Sequence, residues 1–207
     1  MFTEKEVLIV ANGEELCSEK IIKSFKYIIA ADGGYDKLPK ELVPKIVIGD
    51  FDSTDEKRIP SFIKKEKFPI KKDFIDLELA INYAIDQGFK NIYTTGVSGS
   101  RKDHFFASLL LISKFEKFNI HILTKDEDIF LIKPNTEYTF FNMKGKRVSF
   151  FSITEKSEKI VSDGFEYEYQ KNDLFNNHPS LGVSNKIIKK TAKFKYKKGK
   201  ILCFLEV

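Results

Sequence analysis

The sequence of 207 residues has no tryptophan, only three histidines and only two cysteines. Because Cys17 and Cys203 are isolated, they form neither a disulfide framework nor the paired spacing of a structural zinc site, and we expect two reduced thiols. The histidines, His104, His121 and His178, are isolated as well. Their separation argues against a catalytic zinc site.

Long apolar runs are also missing. No stretch is long enough to cross a bilayer, and the first residues lack the apolar core of a signal peptide, so we expect a cytoplasmic protein with no membrane partner. The net charge is only +5, and the lysines are not interleaved with aromatic residues. This pattern disfavours nucleic acid as a partner, whereas a mild surplus of cations suits a small anionic substrate.

Two common catalytic signatures are absent. The chain has no Gly-x-x-x-x-Gly-Lys-Ser/Thr sequence, which excludes a P-loop. Ser98-Gly99-Ser100 lacks the flanking pattern of a Gly-x-Ser-x-Gly nucleophile elbow. Any chemistry must therefore come from the acidic and glycine-containing loops.

The first 125 residues alternate short apolar runs with helical periods, which predicts an α/β domain with a mainly parallel sheet. The predicted strands are Val7–Ala11, Tyr27–Ala31, Ile46–Ile48, Asn91–Thr95 and Ile120–Leu123. One helix is predicted from near Leu77 to Gly88, and another from His104 to about residue 116.

From residue 126 onward the pattern changes to short β-like segments separated by turns, which predicts a small all-β sandwich or barrel. The predicted strands are Ile129–Ile132, Thr136–Phe141, Arg147–Ser152, Glu166–Tyr169, Lys186–Phe194 and Ile201–Val207. The sequence therefore predicts two domains, residues 1–125 and 126–207.

Acidic residues follow two of the predicted parallel strands, where open α/β sheets bind their ligands. Asp32 follows the second strand, and Asp50 and Asp52 follow the third. Mg²⁺ prefers carboxylate oxygens, an Asp-x-Asp loop can direct two of them at one ion, and Gly49 allows the chain to turn sharply. Turns are rich in Asp and Ser for other reasons, so this motif alone leaves both interpretations open.

A second acidic group opens the helix that begins near Leu77. Asp73 and Asp76 are three residues apart, which places both on one face, although helix capping is an alternative explanation. A cation is disfavoured at a helix N-terminus, so Lys72 is better explained as a phosphate contact.

A glycine-flanked loop, Gly96–Gly99, leads into Arg101 and the second predicted helix. Backbone amides at such a position favour an anion, and an arginine can clamp a phosphate with two parallel hydrogen bonds. Asp103 can equally be the N-cap of this helix, and His104 a polar residue of its first turn.

Taken together and in this order, the loops resemble the thiamine pyrophosphokinase family. The matching stretches, which span nearly the whole chain, are Ala31–Gly34, Gly49–Ser53, Lys72–Glu78, Gly99–His104 and Ser180–Asn185. The resemblance implies that residues 1–125 form an α/β catalytic domain for ATP and Mg²⁺ and that residues 126–207 form a β-rich domain for thiamine. It also implies a homodimer with the active site at the subunit interface.

The resemblance further implies roles for individual residues. The metal ligands would be Asp50, Asp52 and Asp76, with Asp32 and Asp73 beside them. The ATP phosphates would contact Lys72 and Arg101, with Asp103 and His104 nearby. The thiamine would be held by Ser184 and Asn185.

The implied reaction transfers the pyrophosphoryl group of ATP to the hydroxyl of thiamine and releases AMP. Asp73 or Asp76 would accept the hydroxyl proton, and Arg101 would offset the developing charge. The chain departs from the family at Ile75, usually Thr, at Ser100, usually Gly, and at Lys186, often Glu in bacterial members. Without tryptophan, stacking on the thiamine rings falls to Phe, Tyr or non-aromatic packing.

Two other functions remain open from the sequence. One is a related pyrophosphokinase that acts on a different alcohol, such as a hydroxymethyl-pterin. The other is a nucleotide-binding sensor without catalysis, although a pure binder does not need several carboxylates near a polyphosphate.

Overall fold

The structure, a computed structural model, describes residues 5–69 and 74–207. The chain divides into two compact units, Met1–Lys125 and Asp126–Val207. Cys17 and Cys203 are both buried free thiols. Among the described residues, no helix is long and apolar enough to span a membrane.

The first unit contains a parallel sheet of six strands in the order β6-β5-β1-β2-β3-β4. The strands are β1 Glu6–Val10, β2 Tyr27–Ala31, β3 Ile46–Gly49, β4 Lys64–Lys67, β5 Asn91–Thr95 and β6 Asn119–Leu123. The central strands are continuous buried runs, as expected when both faces of a sheet are covered. The parallel sheet predicted from the sequence is therefore present.

The edge strand β4 was not predicted, because Lys64-Lys65-Glu66-Lys67 has no apolar residue. The strand pairs with β3 along its whole length. Lysines on an edge strand discourage pairing with other chains, so this composition suits its position.

The described part of the first unit contains three α-helices: α1 Glu19–Ile22, α2 Asp76–Asp86 and α3 Lys102–Lys114. Short 3₁₀ helices cover Asp32–Lys37, Glu56–Arg58 and Pro179–Leu181. Helix α2 ends just before Gly88, whose φ of +87° favours glycine. Helix α3 begins at Lys102 with Arg101 as its N-cap residue, so the alternative in which Asp103 caps it is wrong.

The second unit is all-β. One antiparallel sheet has the order β12-β9-β14-β7 and the other has the order β11-β10-β13-β8. The strands are β7 Glu127–Ile132, β8 Tyr138–Phe141, β9 Arg147–Ser152, β10 Lys156–Asp163, β11 Gln170–Phe175, β12 Asn185–Lys186, β13 Thr191–Lys195 and β14 Ile201–Glu206. The sheets share one aromatic core, in which Phe150 of β9 stacks on Phe194 of β13 with ring centroids 4.0 Å apart.

The predicted strand Glu166–Tyr169 is wrong, because this segment is a loop. The side chain of Glu168 accepts hydrogen bonds from the backbone N–H groups of Gly164 and Phe165 and from the hydroxyl of Ser162. The carboxylate thus holds the chain in a tight turn, which alternation of apolar and polar residues does not reveal.

Candidate functional site

A cavity of about 410 Å³ lies at the carboxyl ends of the parallel strands of the first unit. Its wall combines the loops after β1, β2, β3 and β5 with the first residues of α2 and α3. The predicted site residues among its lining are Asp32, Asp52, Asp76, Arg101 and His104. A concave site with converging polar groups at this edge of a parallel sheet is where α/β proteins bind ligands.

Asp32 is the buried member of the site. It follows β2 directly, adopts a φ of +46°, and is only 4% exposed. Its Oδ1 atom has no hydrogen-bond partner among the residues that the structure describes. Burial raises the pKa of the Asp32 carboxyl, and the charges of Asp76 and Asp52 raise it further, although Ser53 and the backbone of Gly33 oppose them.

Tight packing of two loops brings Asp32 to the end of β3. A Cβ atom added to Gly49 would lie 2.8 Å from the Cβ of Asp32, a separation that real Cβ atoms essentially never show. Glycine is therefore required for this close approach. The sequence analysis expected Gly49 to let the backbone turn; the structure shows that it also makes room for Asp32.

The loop that follows Gly49 orients the side chains of Asp50 and Asp52. Phe51 between them adopts a φ of +62°, and its side chain packs against the core formed by residues such as Val47 and Ile59. The N–H of Asp52 donates to Oδ1 of Asp50 at 3.2 Å, and the hydroxyl of Ser53 donates to Oδ1 of Asp52 at 2.9 Å. A left-handed residue between the two aspartates thus folds the loop back on itself.

Asp32, Asp50 and Asp52 together present one carboxylate oxygen each within 4.8 Å of one another. Hard oxygen donors from a buried, a half-buried and an exposed residue are the ligand set that Mg²⁺ uses. The buried Oδ1 of Asp32 fits such an ion, because coordination would supply the partner that it does not find among the described residues. The donor set therefore fits a hard divalent cation.

Asp76 was predicted as the third metal ligand, and that role stays a prediction. It is the first residue of α2, lines the cavity, and acts electrostatically on Asp32. The group of close carboxylates among the described residues consists of Asp32, Asp50 and Asp52. The predicted residues Lys72 and Asp73 lie outside the described residues.

Arg101 stands where the loop after β5 enters α3. Its Nε and Nη2 atoms donate to both carboxylate oxygens of Asp103, at 3.0 and 2.7 Å, and both side chains are exposed. This pairing holds the pKa of Asp103 well below its usual range and raises that of Arg101. The cationic group predicted to bind phosphate is thus held at the cavity by its own neighbour, while His104 lines the cavity one residue further on.

The other two predicted residues lie in the second unit. Ser184 is exposed, has a φ of +59°, and donates its N–H to the hydroxyl of Ser149 at 3.1 Å. Asn185 is 2% exposed, and its amide binds both the N–H and the C=O of Tyr167 and the N–H of Lys186. Asn185 therefore shapes the turn by binding backbone groups on both sides.

Tyr167, which is 65% exposed beside this turn, was assigned no role from the sequence. It fell within the predicted strand Glu166–Tyr169. Asn12, Gly13 and Glu14 were also missed, although all three line the cavity. The position of Asn12-Gly13 at the end of the first predicted strand was the available signal.

Comparisons with known proteins agree along both units. A family described as "Thiamin pyrophosphokinase, catalytic domain" matches residues 18–124, and one described as "Thiamin pyrophosphokinase, vitamin B1 binding domain" matches residues 123–201. The thiamine pyrophosphokinase of Bacillus subtilis (strain 168) is 31% identical over 169 residues, which are 76% of this chain and 76% of that protein.

Solved structures share the fold. The crystal structure of thiamine pyrophosphokinase from Bacillus subtilis has a TM-score of 0.85 at 24% identity and covers 98% of this chain and 99% of its own. That of thiamin pyrophosphokinase from Candida albicans has a TM-score of 0.78 at 16% identity, covering 98% and 88%. The fold is therefore similar well beyond the range of close sequence similarity.

Replacing Asp32 by Asn should stabilise the metal-free protein at neutral pH. Because the pKa of Asp32 is raised in the folded state, its stabilising contribution is complete below the ordinary value of 3.8 and is lost as the pH rises through the raised pKa. In EDTA at pH 7, Asp32→Asn should raise Tm by about 2–4 °C, and the gain should shrink towards pH 4.

The matched control is Asp86→Asn, which neutralises an exposed carboxylate near the end of α2 and should shift Tm less. A lower Tm for Asp32→Asn at pH 7 would contradict the destabilising effect of the buried charge. Thermal unfolding followed by circular dichroism provides the measurement.

Proposed function

The chain belongs to the thiamin pyrophosphokinase family, and we propose that Asp32, Asp50 and Asp52 hold the Mg²⁺ ion with which it carries out this activity. The enzyme transfers the pyrophosphoryl group of ATP to the hydroxyl of thiamine and yields thiamine diphosphate and AMP. The observation that carries the proposal is the cavity with its three close carboxylates, one of them buried with an oxygen that has no hydrogen-bond partner among the described residues. The two alternative functions left open by the sequence are not favoured, because a vitamin B1 binding domain matches the second unit.

The reaction forms one bond and breaks one at the β-phosphorus of ATP. The hydroxyl oxygen of thiamine attacks this phosphorus, and the bond to the oxygen that bridges the α-phosphate breaks, so that AMP leaves. When bound, Mg²⁺ neutralises phosphate charge and aligns the phosphates. Asp76 lies in the cavity wall and is suited to accept the hydroxyl proton, with Asp73 as the other candidate.

Arg101 is proposed to bind a phosphate oxygen and offset the charge that develops on AMP. Its contacts with Asp103 involve Nε and Nη2, which leaves Nη1 for the substrate. A guanidinium already held in one orientation loses less freedom when the phosphate arrives. Asp103 is therefore proposed to orient Arg101, Lys72 to contact the phosphates as well, and His104 to line the nucleotide site.

For thiamine we propose the turn at Ser184 and Asn185, together with the ring of Tyr167. The amide of Asn185 fixes the backbone of Tyr167, and the phenol ring remains largely exposed. An aromatic face held by an ordered backbone is suited to stacking on a flat cationic ring. Tyr167 thus fills the need for a stacking residue in a chain without tryptophan.

We also propose a homodimer in which the two kinds of site residue come from different subunits. The second unit exposes several apolar side chains near the thiamine turn: Leu181 and Val183, which precede it, are 52% and 48% exposed, and Tyr167, whose backbone binds Asn185, is 65% exposed. Clustered exposed apolar groups are typical of surfaces that bind a partner.

Replacing Asp52 by Asn should reduce catalysis strongly, since it removes one of three proposed ligands of the metal. We expect kcat/KM for AMP formation to fall about 100-fold or more, which corresponds to about 2.7 kcal/mol of barrier. Binding of Mn²⁺, measured by electron paramagnetic resonance, should weaken in parallel. The control Asp86→Asn should retain both properties, and normal turnover of Asp52→Asn at limiting Mg²⁺ would exclude the metal assignment.

Replacing Tyr167 by Ala should raise KM for thiamine by about tenfold, because about 1–2 kcal/mol of stacking is lost. KM for ATP should change little. Tyr167→Phe keeps the ring and should behave like the wild type, whereas equal losses in both variants would assign the effect to the hydroxyl.

Co-expression of Asp52→Asn and Tyr167→Ala subunits tests the shared site. If each site combines the two units from different subunits, a heterodimer has one intact site, and activity at low thiamine should exceed the sum of the two variants alone. Sedimentation velocity should show a dimer for each protein. Activity equal to that sum in a confirmed heterodimer would show that each site lies within one subunit.

A further inference from the structure

The loop after β5 is held along one side by residues 11–15, which follow β1. The N–H groups of Ala11, Gly13 and Glu15 donate to the carbonyls of Thr95, Gly96 and Ser98, at 2.9, 2.5 and 3.1 Å. Glu15 and Ser98 form an isolated antiparallel bridge. The two segments therefore stay hydrogen-bonded to each other beyond the ends of β1 and β5.

A side-chain contact closes this arrangement. The hydroxyl of Ser98 is buried and donates to Oε2 of Glu15 at 2.7 Å. Glu14 packs over the neighbouring glycine, since a Cβ added to Gly99 would lie 3.0 Å from the nitrogen of Glu14 and 3.3 Å from its Cδ. Hydrogen bonding from Ser100 lowers the pKa of the Glu14 carboxyl. Both glutamates are exposed, and both contact the loop after β5 with their side chains.

The backbone hydrogen bonds determine the orientation of two peptide groups. In a trans peptide the C=O and the following N–H point in opposite directions. Because the carbonyls of Gly96 and Ser98 point at residues 11–15, the N–H groups of Val97 and Gly99 must point to the other side of the loop. Val97 and Gly99 both line the cavity. Neighbouring amides that point the same way form an anion-binding concavity.

We propose that residues 11–15 are a positioning element of the ATP site. They orient the amides of Val97 and Gly99 towards the phosphates, and the hydrogen bond between Glu15 and Ser98 locks them in place. This inference rests on the proposed function of the loop as a phosphate contact. Glu15 is not among the residues that line the cavity, so it acts on the site through Ser98.

The hydrogen bond between Glu15 and Ser98 is needed because the loop after β5 contains glycines. Gly96 adopts a φ of +69° and lies so close to Ala11 that a Cβ would meet its carbonyl oxygen at 2.3 Å. Glycines give a loop many conformations in the absence of ligand, and ordering them at binding weakens affinity. A preformed loop removes the cost of ordering for ATP but not for thiamine. A defect in this loop should therefore weaken ATP binding alone, whereas a general loss of structure would weaken the binding of both substrates.

The experiment compares steady-state kinetics of Glu15→Ala, Glu15→Gln and Ser98→Ala. Glu15→Ala should raise KM for ATP about three- to tenfold, the effect of one lost hydrogen bond, with kcat changed less than twofold and KM for thiamine unchanged. Glu15→Gln keeps an oxygen that accepts the Ser98 hydroxyl and should restore most of the affinity. The double variant Glu15→Ala/Ser98→Ala should be no worse than the single ones.

Glu41→Ala is the matched control, because Glu41 is an exposed glutamate of the same unit that pairs with Lys23 away from the cavity. Its kinetics should equal those of the wild type. An unchanged KM for ATP in Glu15→Ala, or equal losses for both substrates, would overturn the inference. If Glu15→Ala does not fold, the KM values of Ser98→Ala, which only deletes a hydroxyl, test the inference in the same way.

Arg101→Ala separates the inference from the proposed function. If Arg101→Ala raises KM for ATP and Glu15→Ala does not, the loop binds phosphate and only the positioning role fails. If Arg101→Ala also leaves KM for ATP unchanged, the phosphate role of the loop fails first, and the positioning role fails with it.

Discussion

Burial of the Asp32 carboxylate is the constraint on which the rest of the site depends. A carboxylate at 4% exposure is unfavourable even with hydrogen bonds from Ser53 and the backbone of Gly33, and two neighbouring carboxylates make it more so. Two backbone features hold the carboxylate there. Asp32 has a left-handed conformation, and Gly49 at the end of β3 leaves room for its side chain. Such an arrangement is expected where a divalent cation completes the charge balance, and folding stability is given up for it.

Much of the first unit could be predicted because its strands are buried runs that differ sharply from their surroundings. The parallel strands and the loops at their carboxyl ends followed from that contrast, as did the grouping of Asp50 with Asp52. The family resemblance implied that Asp32 lies beside the metal ligands, but how closely its carboxylate approaches those of Asp50 and Asp52 depends on the packing of two loops, which no local pattern encodes. The edge strand β4 was missed because its residues form a strand through hydrogen bonds to β3 and not through burial of apolar side chains.

The second unit was harder to predict because its polar residues act on the backbone. Glu168 binds main-chain N–H groups and holds a turn where the sequence predicted a strand. Asn185 binds the main chain of Tyr167, whose side chain remains exposed. Tyr169 contributes in the same way: its hydroxyl donates to the carbonyl of Leu181 at 2.9 Å, and burial raises its pKa to about 12. Side chains that bind backbone groups in place of a helix or a sheet produce no periodic pattern in the sequence.

The position of β1 in the parallel sheet has a consequence for synthesis of the chain. This strand is made first, yet it lies between β2 and β5, and β5 begins 85 residues after it, since Glu6 pairs with Asn91. Until β5 leaves the ribosome, one edge of the central strand has no native neighbour, and the loop that holds the phosphate amides does not exist. Pairing across such a separation is slow, so the cavity that this loop lines is one of the later features of the first unit to form.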